Sequence, residues 1–150
     1  MNNTLISHLM QIQQTSDLRP WTEQQWIDCL ALPTTKLYLD NQANPYAYLI
    51  VQEILPEIEI IEIVVDVVFH QKGIALNLLQ KLMEHAQKNK AHSVFLEVSK
   101  HNQKAINLYK KANFVQINTR PNYYLEKSGL KADAYVLAWY NKNLDKSTRN

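Results

Sequence analysis

The chain has a single cysteine, Cys29, in 150 residues. One cysteine can form neither an intramolecular disulfide nor a cysteine-cluster metal site, and such a chain is expected in a reducing cytoplasm. No charge of one sign dominates either. Sixteen Lys and Arg stand against 14 Asp and Glu, a formal +2, with the signs interspersed, so the broad basic surface of a DNA-binding protein is missing. Long hydrophobic runs are also lacking. The longest apolar stretch is broken by Glu62 and Asp66, and the opening MNNTLISHLMQ lacks a basic flank followed by a purely apolar segment. Neither a membrane span nor a signal peptide is expected. There are no internal repeats and no low-complexity blocks, and no residues near His70 suggest a metal site. What is present is 46% hydrophobic content over a length that suits one domain with a core on both faces of a sheet.

Along the chain, Leu5, Leu9 and Ile12 at helical spacing predict a helix over 4–14, with Thr4 as its N-cap. Thr22 with Gln25 three positions on reads as a capping box behind Pro20, and Trp21, Trp26, Ile27 and Leu30 form the apolar side of a second helix. Trp21 either belongs to that core or lines a substrate groove. Lys36–Leu39 and Tyr46–Ile54 alternate as two antiparallel strands joined by the turn-rich segment 40–45. In the next strand Glu57 and Glu59 hold odd positions, whereas Glu62 and Asp66 hold even ones. The polar face therefore switches around Ile60-Ile61, as at a β-bulge, which either frees backbone for a ligand or is an irregular edge.

Residues 61–114 organise the rest. A β-branched run (Ile61, Ile63, Val64, Val65, Val67, Val68) leads through the turn 70–73 into a helix with Ile74, Leu78, Leu79, Leu82 and Met83 on one side. Such a turn aims backbone N–H groups at one spot at a helix N-terminus, where they favour an anion such as a pyrophosphate. A buried strand over 93–98 and an amphipathic helix over 102–112 follow. Asn113 ends that helix in a position that tolerates the left-handed conformation. Strands over 114–119 and 134–139 flank a Lys127-Ser128-Gly129 loop, and the polar segment 141–150 reads as a frayed tail.

The His70-Gln71-Lys72-Gly73-Ile74-Ala75 turn resembles the Q/R-x-x-G-x-G/A turn of the GNAT N-acetyltransferases, and Asn102-x-x-Ala105-x-x-Leu108-Tyr109 resembles the helix that follows it in that family. Trp21 after Pro20, Leu96-Glu97-Val98, Asn122-Tyr123-Tyr124 and Ala132-Asp133-Ala134 extend the likeness over residues 5–140. It is strongest to those members that acetylate the N-terminal alanine of a ribosomal protein.

The resemblance implies an α/β GNAT domain over 1–140: a mixed, mostly antiparallel sheet with a central splayed parallel strand pair, here without room for a first strand before the first helix. It implies acetyl-CoA as co-substrate, held by Ile63, Val64, Val65, His70, Gln71, Lys72, Gly73, Ile74, Ala75, Leu76, Asn102 and Tyr109. Glu97 would be the general base and Tyr109 the proton donor to the thiolate. Trp21, Tyr123, Tyr124 and Asp133 would face a protein N-terminus or another amine. His70 departs from the usual Gln or Arg, and Ala75 from the commoner Gly. Without the resemblance, Glu97 reads as a solvent-facing carboxylate, Tyr109 as core, and one of the two adjacent tyrosines as packing. A lysine or small-amine acetyltransferase and a non-catalytic acyl-CoA-binding module are the alternatives, and a missing first strand would leave an edge that a second copy could cover in a weak homodimer.

Overall fold

A computed structural model describes residues 3–16, 19–126 and 128–144. Among the described residues four helices and six strands follow one another as α1 (Asn3–Ser16), α2 (Glu23–Ala31), β1 (Thr35–Leu39), β2 (Ala47–Ile54), β3 (Glu57–Val65), α3 (Ile74–Lys88), β4 (Ser93–Ser99), α4 (Gln103–Lys111), β5 (Val115–Leu125) and β6 (Lys131–Tyr140). Hydrogen bonding orders the strands β1-β2-β3-β4-β6-β5 in a mixed sheet. Among the described residues no strand precedes α1, as expected. The chain packs as two compact units, Met1–Glu53 with Ile60–Leu82, and Ile54–Glu59 with Met83–Asn150.

In the first unit, Ile6, Leu9 and Ile12 of α1 bury against Trp26, Leu39, Tyr48, Ile50 and Val64. Thr4 does not cap α1, because the helix includes Asn3 and places Thr4 inside its first turn. The capping box of α2 is formed as read: Thr22 accepts from the Gln25 N–H at 3.2 Å and the Gln25 side chain accepts from the Thr22 N–H at 2.8 Å.

The face switch expected at Ile60-Ile61 does not occur. Ile58, Ile60 and Val64 are all buried and Ile61 is exposed, so the even-numbered face stays inward throughout β3. Glu62 keeps its inward position because its carboxylate is hydrogen-bonded. The buried Gln13 amide donates to both of its oxygens at 2.9 and 3.0 Å, and the Tyr48 hydroxyl donates to one at 2.9 Å.

In the second unit, Glu57–Glu59 pair parallel with Ser93–Phe95, a ladder of three residues, while β4 pairs antiparallel with β6 over its whole length. Parallel pairing that stops so early is the splay the resemblance implied. α4 ends at Lys111 with Ala112 as its C-cap, and Asn113 takes φ 67°, the left-handed conformation expected there.

Two strands run longer than their alternation suggested. β5 continues through Tyr123 and Tyr124 to Leu125, and β6 starts at Lys131. Register shifts at Gln116/Asn118 and Arg120/Tyr124 absorb Pro121, which has no N–H to donate, and Asn122, at φ 54°. The tail also begins later than expected. Asn141 is buried, its side-chain amide donating to the Ala91 carbonyl and its N–H to the His92 carbonyl, both at 2.9 Å. Residues 145–150 of that segment, and Lys127 of the β5–β6 loop, lie outside the described residues.

Candidate active site

The turn after β3 is braced from several sides within the first unit. Asp66 ends the strand: its N–H donates to the Tyr46 carbonyl at 2.8 Å, and its carboxylate accepts from the Val68 N–H at 3.1 Å, capping a 3-10 turn over Val67–Phe69. The Phe69 ring stacks on Tyr46, with centroids 4.0 Å apart and planes at 24°, and the Lys72 ammonium lies 5.4 Å from its centroid. His70 points its Nε2 at the Val65 carbonyl, 2.8 Å away. A carbonyl can only accept, so this nitrogen carries the proton, and the imidazole ties the turn to the end of β3.

Gln71 and Gly73 then take φ 62° and 75°. The Asn77 N–H to Gly73 carbonyl bond, 3.0 Å, closes the first turn of α3, so the N–H groups of Ile74, Ala75 and Leu76 precede the first helical hydrogen bond. A Cβ built on Gly73 would meet nothing within 4 Å. An open side beside helix-start N–H groups suits a pyrophosphate. Ile63 and Val65 are half-buried on the strand that leads into the turn, and Val64 is buried.

In the second unit, β4 buries Val94, Leu96 and Val98 and turns Glu97 to its other face. The Glu97 Oε1 accepts from Arg120 Nη1 at 2.6 Å, and the Glu97 backbone carbonyl accepts from the Tyr124 hydroxyl at 3.1 Å. The Arg120 guanidinium lies 4.0 Å from the centre of the Tyr123 ring. Glu59 stands at the register of Phe95, and burial, then the charge of Glu97, pushes its carboxyl pKa up.

Asp133 accepts from the Asn122 N–H at 3.1 Å and lies 3.9 Å from the Lys100 ammonium, so it pins the irregular stretch of β5. Asn102 caps α4, its Oδ1 accepting from the Ala105 N–H at 3.2 Å, which leaves its amide NH2 as the group to offer a ligand. Tyr109 is buried on α4, edge-on to Phe114 at 5.5 Å. Trp21, in the first unit, packs edge-on against Trp26 at 5.2 Å, and its backbone N–H donates to the Gln13 side-chain oxygen at 2.9 Å. Among the described residues no group of three or more His, Cys, Asp or Glu could hold a metal ion.

The family model for the acetyltransferase (GNAT) family matches residues 6–114. The chain belongs to the GNAT acetyltransferases. Its co-substrate is therefore acetyl-CoA, and its reaction an N-acetyl transfer. A ribosomal protein bS18-alanine N-acetyltransferase of Haemophilus ducreyi is 31% identical over 134 residues, covering 89% of this chain and 92% of that protein. The crystal structure of the ribosomal-protein-S18-alanine N-acetyltransferase of Escherichia coli superposes with a TM-score of 0.83 at 25% identity, covering 95% of this chain and 94% of that one. Arabidopsis thaliana NAA60, solved in complex with a bisubstrate analogue, shares the fold at a TM-score of 0.81 and 17% identity, over 93% and 94% of the two chains.

For this GNAT chain, sequence reasoning picked out the turn and Glu97 but missed their supports. Tyr46 and Asp66 brace the turn from 20 or so residues apart in pattern-neutral positions, and Arg120 reaches Glu97 across a sequence separation of 23. A regular β5 would not have placed the Tyr123 ring against the Arg120 guanidinium that reaches Glu97 of β4. The register shift between Arg120 and Tyr124 accompanies that placement.

Proposed function

We propose that this GNAT acetyltransferase, acting through one catalytic domain over 1–140, moves acetyl from acetyl-CoA to the N-terminal α-amine of a protein, with a ribosomal protein as acceptor. The observation that carries this reading is the relative named for that activity, matched over 92% of its own length.

In this reading the N–H groups of Gln71–Leu76 hold the pyrophosphate with His70 and Lys72 alongside, the backbone of Ile63–Val65 holds the pantetheine arm, and the Asn102 amide adds a donor. Glu97 takes the proton of the attacking amine, through a water, and the Tyr109 phenol returns one to the departing thiolate. A backbone N–H near Val65 polarises the thioester carbonyl. Trp21, Tyr123, Tyr124 and Asp133 stand on the acceptor side, with the exposed ring of Tyr123 the most available for direct contact. An α-amine, with a pKa near ~8 against ~10.4 for lysine, is easier to deprotonate at neutral pH by about 3 kcal/mol, which suits a single carboxylate base. The proposed compartment is the cytoplasm. No helix among the described residues is long and apolar enough to cross a membrane. A weak homodimer over the β1 edge is the accompanying proposal, and sedimentation velocity over a concentration series tests it.

Thiol release is to be followed with alanine-initiated peptides, lysine peptides and polyamines, for the wild type and two variants. The alanine-initiated peptide is expected to be preferred. Glu97→Gln should lower turnover and recover part of it at higher pH, where more amine is already neutral. Tyr109→Phe should fall by roughly 10²-fold without alkaline recovery. Preference for lysine or polyamine would move the acceptor assignment, and near-normal turnover in either variant would remove that residue from the chemistry.

A further inference from the structure

We propose that Arg120 is a positioning residue for Glu97: its guanidinium holds Oε1 of the carboxylate and leaves Oε2 as the atom that takes the proton of the acceptor amine. The inference rests on the reading of Glu97 as general base.

Two hydrogen bonds from one strand reach Glu97, and a third side chain of that strand backs one of the donors. Arg120 Nη1 donates to Oε1 at 2.6 Å, Tyr124 donates to the backbone carbonyl of the same residue at 3.1 Å, and Tyr123 supports the guanidinium from 4.0 Å below. In a regular strand Tyr123 would point to the face opposite Arg120 and Tyr124, and its ring could not back the guanidinium. The register shift between Arg120 and Tyr124 makes it possible, with Asn122 at φ 54° and its N–H pinned by Asp133 at 3.1 Å. The irregularity of β5 thus has a geometric product, a fixed Glu97 side chain.

Stability does not account for the pair. The Arg120 side chain is 50% exposed and that of Glu97 21%, and ion pairs of such exposure contribute little to folding. A carboxylate whose backbone is tied to one tyrosine and whose Oε1 is tied to an arginine has few rotamers left, and restricting a base to one orientation is what makes proton transfer efficient. The other carboxylate on this face, Glu59, pairs across from Phe95, two residues before Glu97, and its negative charge disfavours rotation of Glu97 toward β3.

The test uses the full chain with acetyl-CoA and an alanine-initiated peptide. Arg120→Gln is expected to lower kcat by roughly 10-fold or more while the acetyl-CoA thermal shift and the unfolding midpoint stay at wild-type values. Arg120→Lys, which keeps a donor and the charge, should recover part of the loss, and so should added guanidinium at sub-denaturing concentration. In a Glu97→Gln background, Arg120→Gln should have no further effect, because it acts only through Glu97. An unchanged kcat in Arg120→Gln, or equal losses in the wild-type and Glu97→Gln backgrounds, would overturn the assignment. Near-normal activity of Glu97→Gln alone would instead remove the general-base reading on which it rests.

Discussion

Gln13 shows how much one side chain can hold together. It is fully buried on α1, and every polar atom of its amide has a partner: the carbonyl oxygen accepts from the Trp21 N–H at 2.9 Å and the Trp26 indole at 3.1 Å, while the amine donates to both oxygens of Glu62. Glu62 in turn has the Tyr48 hydroxyl at 2.9 Å. A carboxylate on the inward face of a strand is costly unless it is satisfied in this way, and removing one partner leaves the full desolvation penalty of the other. Gln13→Leu, of similar volume, should therefore destabilise the protein by about 2–4 kcal/mol in urea denaturation. A loss below about 1 kcal/mol would show that Tyr48 and solvent suffice for Glu62. None of this was legible in the sequence, where Gln13 follows a helical repeat without belonging to its apolar positions, and where Glu62 looked like evidence for a slipped strand.

The element that most concerns function is the turn between β3 and α3. Its recognisable part is local: a β-branched strand, a glycine, and a helix with a clear apolar side. Its rigidity is not local. Tyr46, just before β2, stacks on Phe69, Asp66 caps the 3-10 turn, and His70, which departs from the Gln or Arg usual in the motif, fastens the turn to the Val65 carbonyl. Gly73 sits at φ 75° with open space where a Cβ would be, so Gly73→Ala meets backbone strain of about 1–2 kcal/mol and no clash, while Gly73→Asp adds negative charge on the side where the pyrophosphate is to lie. Isothermal titration should show acetyl-CoA affinity only modestly reduced in Gly73→Ala and reduced roughly 10-fold or more in Gly73→Asp, since one unfavourable charge near a phosphate costs on the order of 1.4 kcal/mol even when partly screened. Equal affinities in the two variants would place the pyrophosphate elsewhere.

For the whole molecule, a ligand that binds only the folded state raises its stability in proportion to the logarithm of its concentration over Kd. Acetyl-CoA at 100 times its Kd should add about 2.7 kcal/mol, a shift of several degrees in the unfolding midpoint for a chain of this size. The measurement is a thermal-shift titration with acetyl-CoA, with acetate and inorganic phosphate as controls. A midpoint that does not move at millimolar acetyl-CoA would contradict the cofactor site proposed for the turn, and an equal shift with phosphate alone would reduce that site to an unspecific anion hole.

Sequence by itself determined what depends on neighbours along the chain. The helix periods, the Thr22–Gln25 capping box, the left-handed Asn113, the strand–turn–helix around Gly73 and the early end of parallel pairing implied by the GNAT resemblance all follow from residues within a few positions of one another or from a motif spelled in order. Tertiary structure decided whatever depends on which distant groups share a low-dielectric surface. It kept Glu62 inward by supplying Gln13 and Tyr48, against a sequence pattern that predicted a bulge in β3. It put register shifts in β5, where Pro121 cannot join the ladder and Asn122 adopts a positive φ. It also brought Arg120 and Tyr124 onto Glu97 and the Tyr123 ring against the Arg120 guanidinium. A polar residue announces its own cost of burial in the sequence but not the partner that offsets it, because hydrogen bonds between residues 23 or 49 positions apart obey geometry and leave no period to read.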